Sequence, residues 1–236
     1  MKINKIYNNI LIIPDLHAPF HHRDAFAFLK KLKEKYRPDL IINLGDEVDY
    51  HAISYHESNP DLPSAGEELL QARAAMKQLE RIFPKMILLD SNHGSLVYRK
   101  TFSAGMSKEF IKSPNEILQV GQGWEWTNDL RFKTPTNEWY ACHGKSGKAK
   151  VLSSQYGLST IQGHYHESAQ ISMISTPHAL LYDVHCGCLI DKESLAFAYN
   201  KINVRRPILS ACVIVNGVPQ LIPMQLKQNG RWTGRL

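Results

Sequence analysis

Short apolar runs alternate with helical spacing over roughly the first ninety residues, the pattern of a sheet with crossover helices. Ile10 to Pro14 is a continuous apolar run and reads as a buried strand. Phe26, Leu29, Leu32 and Tyr36 then recur at helical spacing among lysines, which predicts an amphipathic helix over 24–36. Leu40 to Leu44 reads as the second strand. Ser64 with Glu67 three residues on is a capping box, and Leu69, Ala72, Met76, Leu79 and Phe83 hold one face of the helix it starts. Met86 to Leu89 reads as a third strand, and right-handed crossovers lay the three parallel.

Beyond about residue 115 the helical pattern fades. Trp139 to Cys142, Leu158 to Gln162, Ile171 to Ile174, Leu180 to Val184 and Ile208 to Val215 read as strands of a second, mostly antiparallel sheet. Asn216-Gly217 between two apolar runs predicts a tight hairpin, and Pro219 and Pro223 put its second strand at an edge. The stretch from Tyr50 to Pro63, rich in His, Ser, Asn and Pro, reads as a long loop.

With 43% hydrophobic and 21% charged positions, the 236 residues exclude a disordered, collagenous or coiled-coil chain, and the length suits one domain over 1–236. The net charge of +6 is unevenly placed. Acidic and basic residues balance over 1–200, so the whole excess lies in Lys201, Arg205, Arg206, Lys227, Arg231 and Arg235. A basic end at about 227–236 suits a polyanion such as nucleic acid, or it is a frayed, solvated tail. Four cysteines without a CxxC pair fit a reduced, intracellular protein, which is expected in the cytoplasm. The first apolar run is too short for a signal-peptide core, and no stretch approaches the roughly 20 apolar residues of a membrane span, so no membrane partner is expected.

The chemistry lies at the strand ends. The first strand is followed by Asp15-Leu-His17, the second by Gly45-Asp46-Glu47-Val48-Asp49, and the third by Asp90-Ser-Asn92-His93. Later strands run into His143 and into Gly163-His164-Tyr-His166. Each piece alone has a plain explanation, since Gly-Asp after a strand is commonly a turn and Asn-His a loop. Five strand ends with metal-ligating residue types are harder to explain by packing, because carboxyl ends of parallel strands gather at one sheet edge, where ligands bind.

This ordered set resembles the calcineurin-like metallophosphoesterase superfamily, whose motifs are DxH, GDxxD, GNH followed by Asp or Glu, a lone His, and GHxH. The resemblance covers residues 15 to 166. It implies an α/β (α+β) fold, a four-layer sandwich of two packed mixed β-sheets flanked by helices. It further implies one metal bound by Asp15, His17 and His166, a second by Asn92, His143 and His164, and Asp46 bridging both. His93 would be the acid that protonates the leaving oxygen, oriented by Asp49. Three positions depart from the motifs: Ser91 and Gly94 stand where the family has Gly and an acidic residue, and Tyr50 stands where its protein phosphatases carry a phosphate-gripping Arg.

Imidazole, carboxylate and amide donors together suit Mn²⁺ first, with Fe or Zn²⁺ next, better than the oxygen-seeking Ca²⁺ or Mg²⁺. Two dications bring four positive charges, of which Asp15 and Asp46 cancel two and a bridging hydroxide a third. A site left positive favours a phosphate ester. The expected function is therefore hydrolysis of phosphodiester bonds by a metal-bridging hydroxide, on a nucleotide or nucleic acid, because an acid at the leaving group helps most with a poor alkoxide. Tyr50, His51 and His56 are candidate substrate contacts in the long loop, alongside Tyr55. The alternatives are a phosphomonoesterase acting on a nucleotide, small molecule or phosphoprotein, and a non-catalytic nucleic-acid-binding protein. His185, inside a strand, reads as a buried hydrogen-bonded residue, while Trp124 and Trp126 read as core or interface.

Overall fold

A computed structural model of the chain describes residues 1–55, 60–191, 193–194 and 206–236. The chain opens with β1 (Lys2–Ile6) and β2 (Asn9–Ile13), crosses through α1 (Ala25–Tyr36) to β3 (Leu40–Asn43), and through α2 (Ala65–Ile82) to β4 (Met86–Leu89). Short helices α3 (Leu96–Ser103) and α4 (Pro114–Leu118) lead to β5 (Trp124–Thr127), followed by β6 (Leu130–Lys133) and β7 (Glu138–Cys142). Helix α5 (Val151–Tyr156) precedes β8 (Ser159–Gln162), β9 (Ala169–Ser175) and β10 (Leu180–Cys186), and the hairpin of β11 (Ser210–Val215) and β12 (Val218–Pro223) follows.

These strands form two six-stranded sheets, ordered β12-β11-β2-β3-β4-β5 and β1-β6-β7-β8-β10-β9. In the first, β2 to β5 are parallel, as the crossovers through α1 and α2 require. Strand β2 shows why its sequence is apolar throughout. Leu11 and Ile13 face the layer of α1 and α2, and Ile10 and Ile12 face the other sheet, so both faces are buried. A third, smaller cluster of Tyr140, Cys142 and Leu152 seats α5 on the far side. The result is helix, sheet, sheet, helix: a four-layer sandwich.

Helix α2 starts on the Ser64–Glu67 capping box and buries Ala72, Met76 and Leu79, with Phe83 at its end. Helix α1 turns a stripe of Ala25, Phe28, Leu29 and Leu32 inward, leaving Phe26 and Tyr36 only partly covered. Each fully buried side chain of this size contributes about 1.5–3 kcal/mol.

The second sheet is not mostly antiparallel. Its β1–β6, β7–β8 and β8–β10 pairs are parallel and only β6–β7 and β9–β10 are antiparallel. The reason is that α5 makes β7 to β8 a crossover rather than a hairpin. The β11–β12 hairpin turns at Asn216-Gly217 with β12 at an edge, but it joins the first sheet through antiparallel pairing of β11 with β2.

The basic tail is not frayed. The Arg231 guanidinium grips the Asp24 carboxylate at 2.6 and 2.8 Å, and the Trp232 N–H donates to the same carboxylate. The Trp232 ring meets Phe28 edge-on at 5.5 Å, and Leu226 and Leu236 pack on the same core. The four cysteines are free and buried, and no helix among the described residues is long and apolar enough to cross a membrane.

Candidate metal centre

Each of the five motifs leaves its strand at the edge where the two sheets meet, and backbone contacts lock the motifs together. The Asp46 carbonyl accepts the N–H groups of Leu16 and His17. Ser91 Oγ accepts the N–H of Asp46 at 2.9 Å and of Gly94 at 3.0 Å, and the His93 N–H donates to Asp46 Oδ1 at 3.0 Å. From the other sheet, the His164 N–H donates to Asp15 Oδ2 at 2.9 Å.

The side chains gather in three groups, two that share Asp46 and one of His17, Asp49 and His93. Donor atoms of Asp15, His17, Asp46 and His166 lie within 4.8 Å of one another, as do those of Asp46, His143 and His164, so Asp46 is common to both groups. In the first group His17 Nε2 is 3.2 Å from His166 Nε2 and 3.4 Å from Asp46 Oδ2, and His166 Nε2 is 3.0 Å from Asp15 Oδ2. In the second, His143 Nε2 is 3.2 Å from Asp46 Oδ2 and 2.7 Å from Asn92 Oδ1, while His164 Nδ1 is 3.1 Å from Asn92 Oδ1. His143 has its orientation fixed by donating from Nδ1 to the Leu44 carbonyl at 2.9 Å.

Metal ions fit this donor set. Asp15 Oδ1 is fully buried without a hydrogen-bond partner, a costly state for a carboxylate oxygen unless a cation meets it. The backbone is shaped for the same purpose. His17, Asp46 and His164 take positive φ of 51°, 47° and 65°, a conformation that costs non-glycine residues and that clusters at functional sites. Gly45, at φ 98°, leads into Asp46, and a Cβ there would come within 2.6 Å of Ser91 Cβ. At Gly163 a Cβ would lie 2.3 Å from Asp15 Oδ1, so no other residue lets GHxH approach this closely.

The calcineurin-like phosphoesterase family model matches residues 9–177, from β2 past the GHxH motif. The chain belongs to this family. Among solved structures, Vps29 from Chaetomium thermophilum shares the fold at 13% identity and a TM-score of 0.50, over 96% of this chain and 94% of that one. An archaeal phosphodiesterase aligns at 14% identity and a TM-score of 0.49 over 91% of this chain and 99% of its own. Yfce, a phosphoesterase from E. coli, aligns at 11% identity and 0.49 over 95% and 96%. No curated protein matches the chain.

In this calcineurin-like phosphoesterase the electrostatics of the cluster follow from packing cations and anions out of water. Burial pulls the His17 imidazole down, but hydrogen bonds and charge from Asp46 and Asp49 override it and hold it up at about 10. His143 is likewise opposed by burial yet raised to about 9 by Asp46 and Asp15. Burial raises the Asp46 carboxyl, but His143 and His17 outweigh that and keep it well below the usual range. His93 and His164 go the other way, lowered by burial and by the neighbouring His17 and His143 respectively.

The remaining expected site residues fall differently. The Asp49 carboxylate is hydrogen-bonded to His17 Nδ1 and lies 3.3 Å from His93 Nδ1, whereas His93 Nδ1 donates to the Asp49 carbonyl at 2.5 Å. Asp49 therefore orients His17 with its side chain and His93 with its main chain. Tyr50 does not face the cluster. It is buried in the core under the helices, and burial raises its phenol far up. His51 is also buried, with Nδ1 3.8 Å from Asp49, and Glu68 of α2 accepts the His51 and Ala52 N–H groups. His56 lies outside the described residues. His185 is buried as expected, held by Gln162 and Ser168, and Trp124 is core, its Nε1 donating to the Phe83 carbonyl.

Two further residues gain a purpose from the structure. Ser91 and Gly94, the departures in the third motif, are coupled: a Cβ at 94 would sit 2.9 Å from Ser91 Oγ, so the serine that braces Asp46 needs a glycine there. Glu47 lies buried beside Gly94, its carboxyl pushed up to about 7 by burial, so an acidic group stands near the position that lost one. A serine at a strand-end turn is a legible signal for such backbone bonds; the buried Glu47 is not.

Proposed function

We propose that this chain is a binuclear metal phosphodiesterase acting on a nucleotide or nucleic acid. The observation that carries the reading is the pair of three- and four-donor groups sharing Asp46. Asp15, His17, Asp46 and His166 would hold one dication and Asp46, Asn92, His143 and His164 the other, with Mn²⁺ favoured by the mixture of nitrogen and oxygen donors. When bound, such a pair acidifies a water at neutral pH and polarises the phosphoryl oxygens for in-line displacement.

The protein's own part is positional. Asp49 holds the His17 imidazole so that Nε2 turns to the centre, the usual way a carboxylate fixes a ligating histidine. His93, tied through Nδ1 to the Asp49 carbonyl, would act in its imidazolium form, giving the Nε2 proton to the leaving oxygen and keeping the Nδ1 proton on the carbonyl as the ring becomes neutral. That contribution matters most for an alkoxide leaving group, such as a sugar hydroxyl.

Hydrolysis of bis(p-nitrophenyl) phosphate and of p-nitrophenyl phosphate with added Mn²⁺ tests the reading. Turnover of the diester, at least equal to that of the monoester, is expected. Turnover of the monoester alone overturns the diesterase assignment in favour of a phosphomonoesterase. With metal bound and neither ester cleaved, the enzymatic reading falls.

A further inference from the structure

With Tyr50 buried, the phosphate of a substrate must meet its cations elsewhere, and the cleft beside the second donor group supplies them. This cleft, about 390 Å³, is walled on one side by Asn92, Ser95 and Arg99 and on the other by His143, Lys145 and His164. Arg99 points back along α3 toward the cluster, its Nη2 donating to the Asn92 carbonyl at 2.5 Å and its Nε to Ser95 Oγ at 3.2 Å. Lys145 stands opposite, 3.6 Å from Asp129, which takes up part of its charge and leaves Arg99 the stronger of the two cations.

Helix α3, which supplies Arg99 to the cleft, also carries exposed aromatic rings. Tyr98 and Phe102, one turn apart, stack with centroids 6.1 Å apart and planes at 22°, and are 45% and 68% exposed. Tyr55, 56% exposed, lies under Lys100 Nζ at 3.9 Å and near the Arg99 guanidinium at 5.4 Å. Three solvent-facing aromatic rings and three cations on and beside α3, next to the donor groups, are matched in chemistry by one class of occupant. Bases stack on the rings and phosphates pair with the cations, and both are accessible together only in an unpaired strand. A purely apolar partner would leave Arg99 and Lys100 uncompensated.

We propose that α3 and Tyr55 form a platform for single-stranded nucleic acid, with Tyr98, Phe102 and Tyr55 stacking bases while Arg99 and Lys145 hold the phosphate that enters the cleft. Its catalytic consequence rests on the phosphodiesterase reading; its binding does not.

The test measures fluorescence anisotropy of a labelled twelve-nucleotide strand, as DNA and as RNA of the same sequence, with the full chain in EDTA so that no cleavage occurs. Both strands are expected to bind, the tighter one marking the natural sugar, and a duplex of the same sequence to bind more weakly. Phe102→Ala and Tyr98→Ala should each weaken binding about tenfold or more, the usual loss for one stacked base. Arg99→Ala should weaken it and lower the slope of log affinity against log salt by about 0.7. Lys30→Ala, on α1, should change nothing. Phe102→Leu, which keeps a good helix former, substitutes should Phe102→Ala unfold by circular dichroism. Absence of single-strand binding, indifference to these substitutions, or equal affinity for duplex overturns the proposal. Binding that responds as described, with bis(p-nitrophenyl) phosphate left uncleaved under Mn²⁺, supports the platform and removes only the enzymatic reading.

Discussion

The two donor groups that share Asp46 are built to opposite standards. The group of Asp15, His17 and His166 is closed: the Asp15 and His17 side chains are almost wholly buried, and the Asp49 carboxylate pins His17 from behind. That carboxylate lies in a segment braced in turn by Glu68, which accepts the His51 and Ala52 N–H groups. The group of Asn92, His143 and His164 is open. Asn92 and His164 are exposed, and both line the cleft that Arg99 and Lys145 flank. Burial and fixed partners hold ligand geometry at the cost of access, and an open position does the reverse. The two groups thus combine a closed half with an open one.

The largest effect is expected from Asp46→Asn, which strikes both halves at once. A neutral amide bridges two dications poorly, so elemental analysis should find at least one metal per chain lost and diester hydrolysis reduced by about three orders of magnitude. Full occupancy in this variant would dissolve the link between the halves. His93→Ala comes next. It should keep both metals and lose about 10²–10⁴-fold in turnover of esters with poor leaving groups, and much less with p-nitrophenolate. A fall in metal content would make His93 a ligand and redraw the boundary of the closed half.

Asp49→Asn should weaken metal binding at the closed half about 10–100-fold and leave the open half unaltered, giving two separable steps in a calorimetric titration. The same variant sharpens the comparison without metal. Because His17 is raised from 6.5 to about 10, the stability it contributes is complete below pH 6.5 and is lost as pH rises through about 10. The unfolding midpoint of the metal-free protein should therefore decline over that interval, and less steeply in Asp49→Asn. An identical slope in both would show that His17 draws its proton affinity from elsewhere.

Much of this contrast was legible in the sequence, because the donors sit at ends of strands whose apolar runs are easy to read and parallel order carries those ends to one edge. The backbone locks among Asp46, Ser91 and Asp15 were not, since they depend on which strands become neighbours. The joining of β11 to β2 illustrates the difficulty: the partners lie about two hundred residues apart, and either sheet satisfies their apolar pattern. Tyr50 and His51, expected as substrate contacts, are buried, whereas polar and aromatic loop residues usually are not. A buried Glu68, which any amphipathic pattern would count against burial, draws that loop inward. Arg99 and Lys145 belong to no motif at all. Helix α4 is the more instructive omission, since Ser113 and Glu116 form the same capping box, with Pro114 following the cap, that marked α2. It was hidden by length, as five residues carry no periodicity.

The pairing of β2 with β11 also bears on how the protein is made. Strand β2 is synthesised well before β11, and β3 covers one of its edges soon after it forms. Its other edge, Asn9 followed by three aliphatic residues, waits for residues 212–215 to be translated. During that interval the nascent chain carries an unpaired apolar strand, the kind of surface that chaperones hold and that aggregates recruit. The strand that positions Asp15 is thus made long before it is sealed.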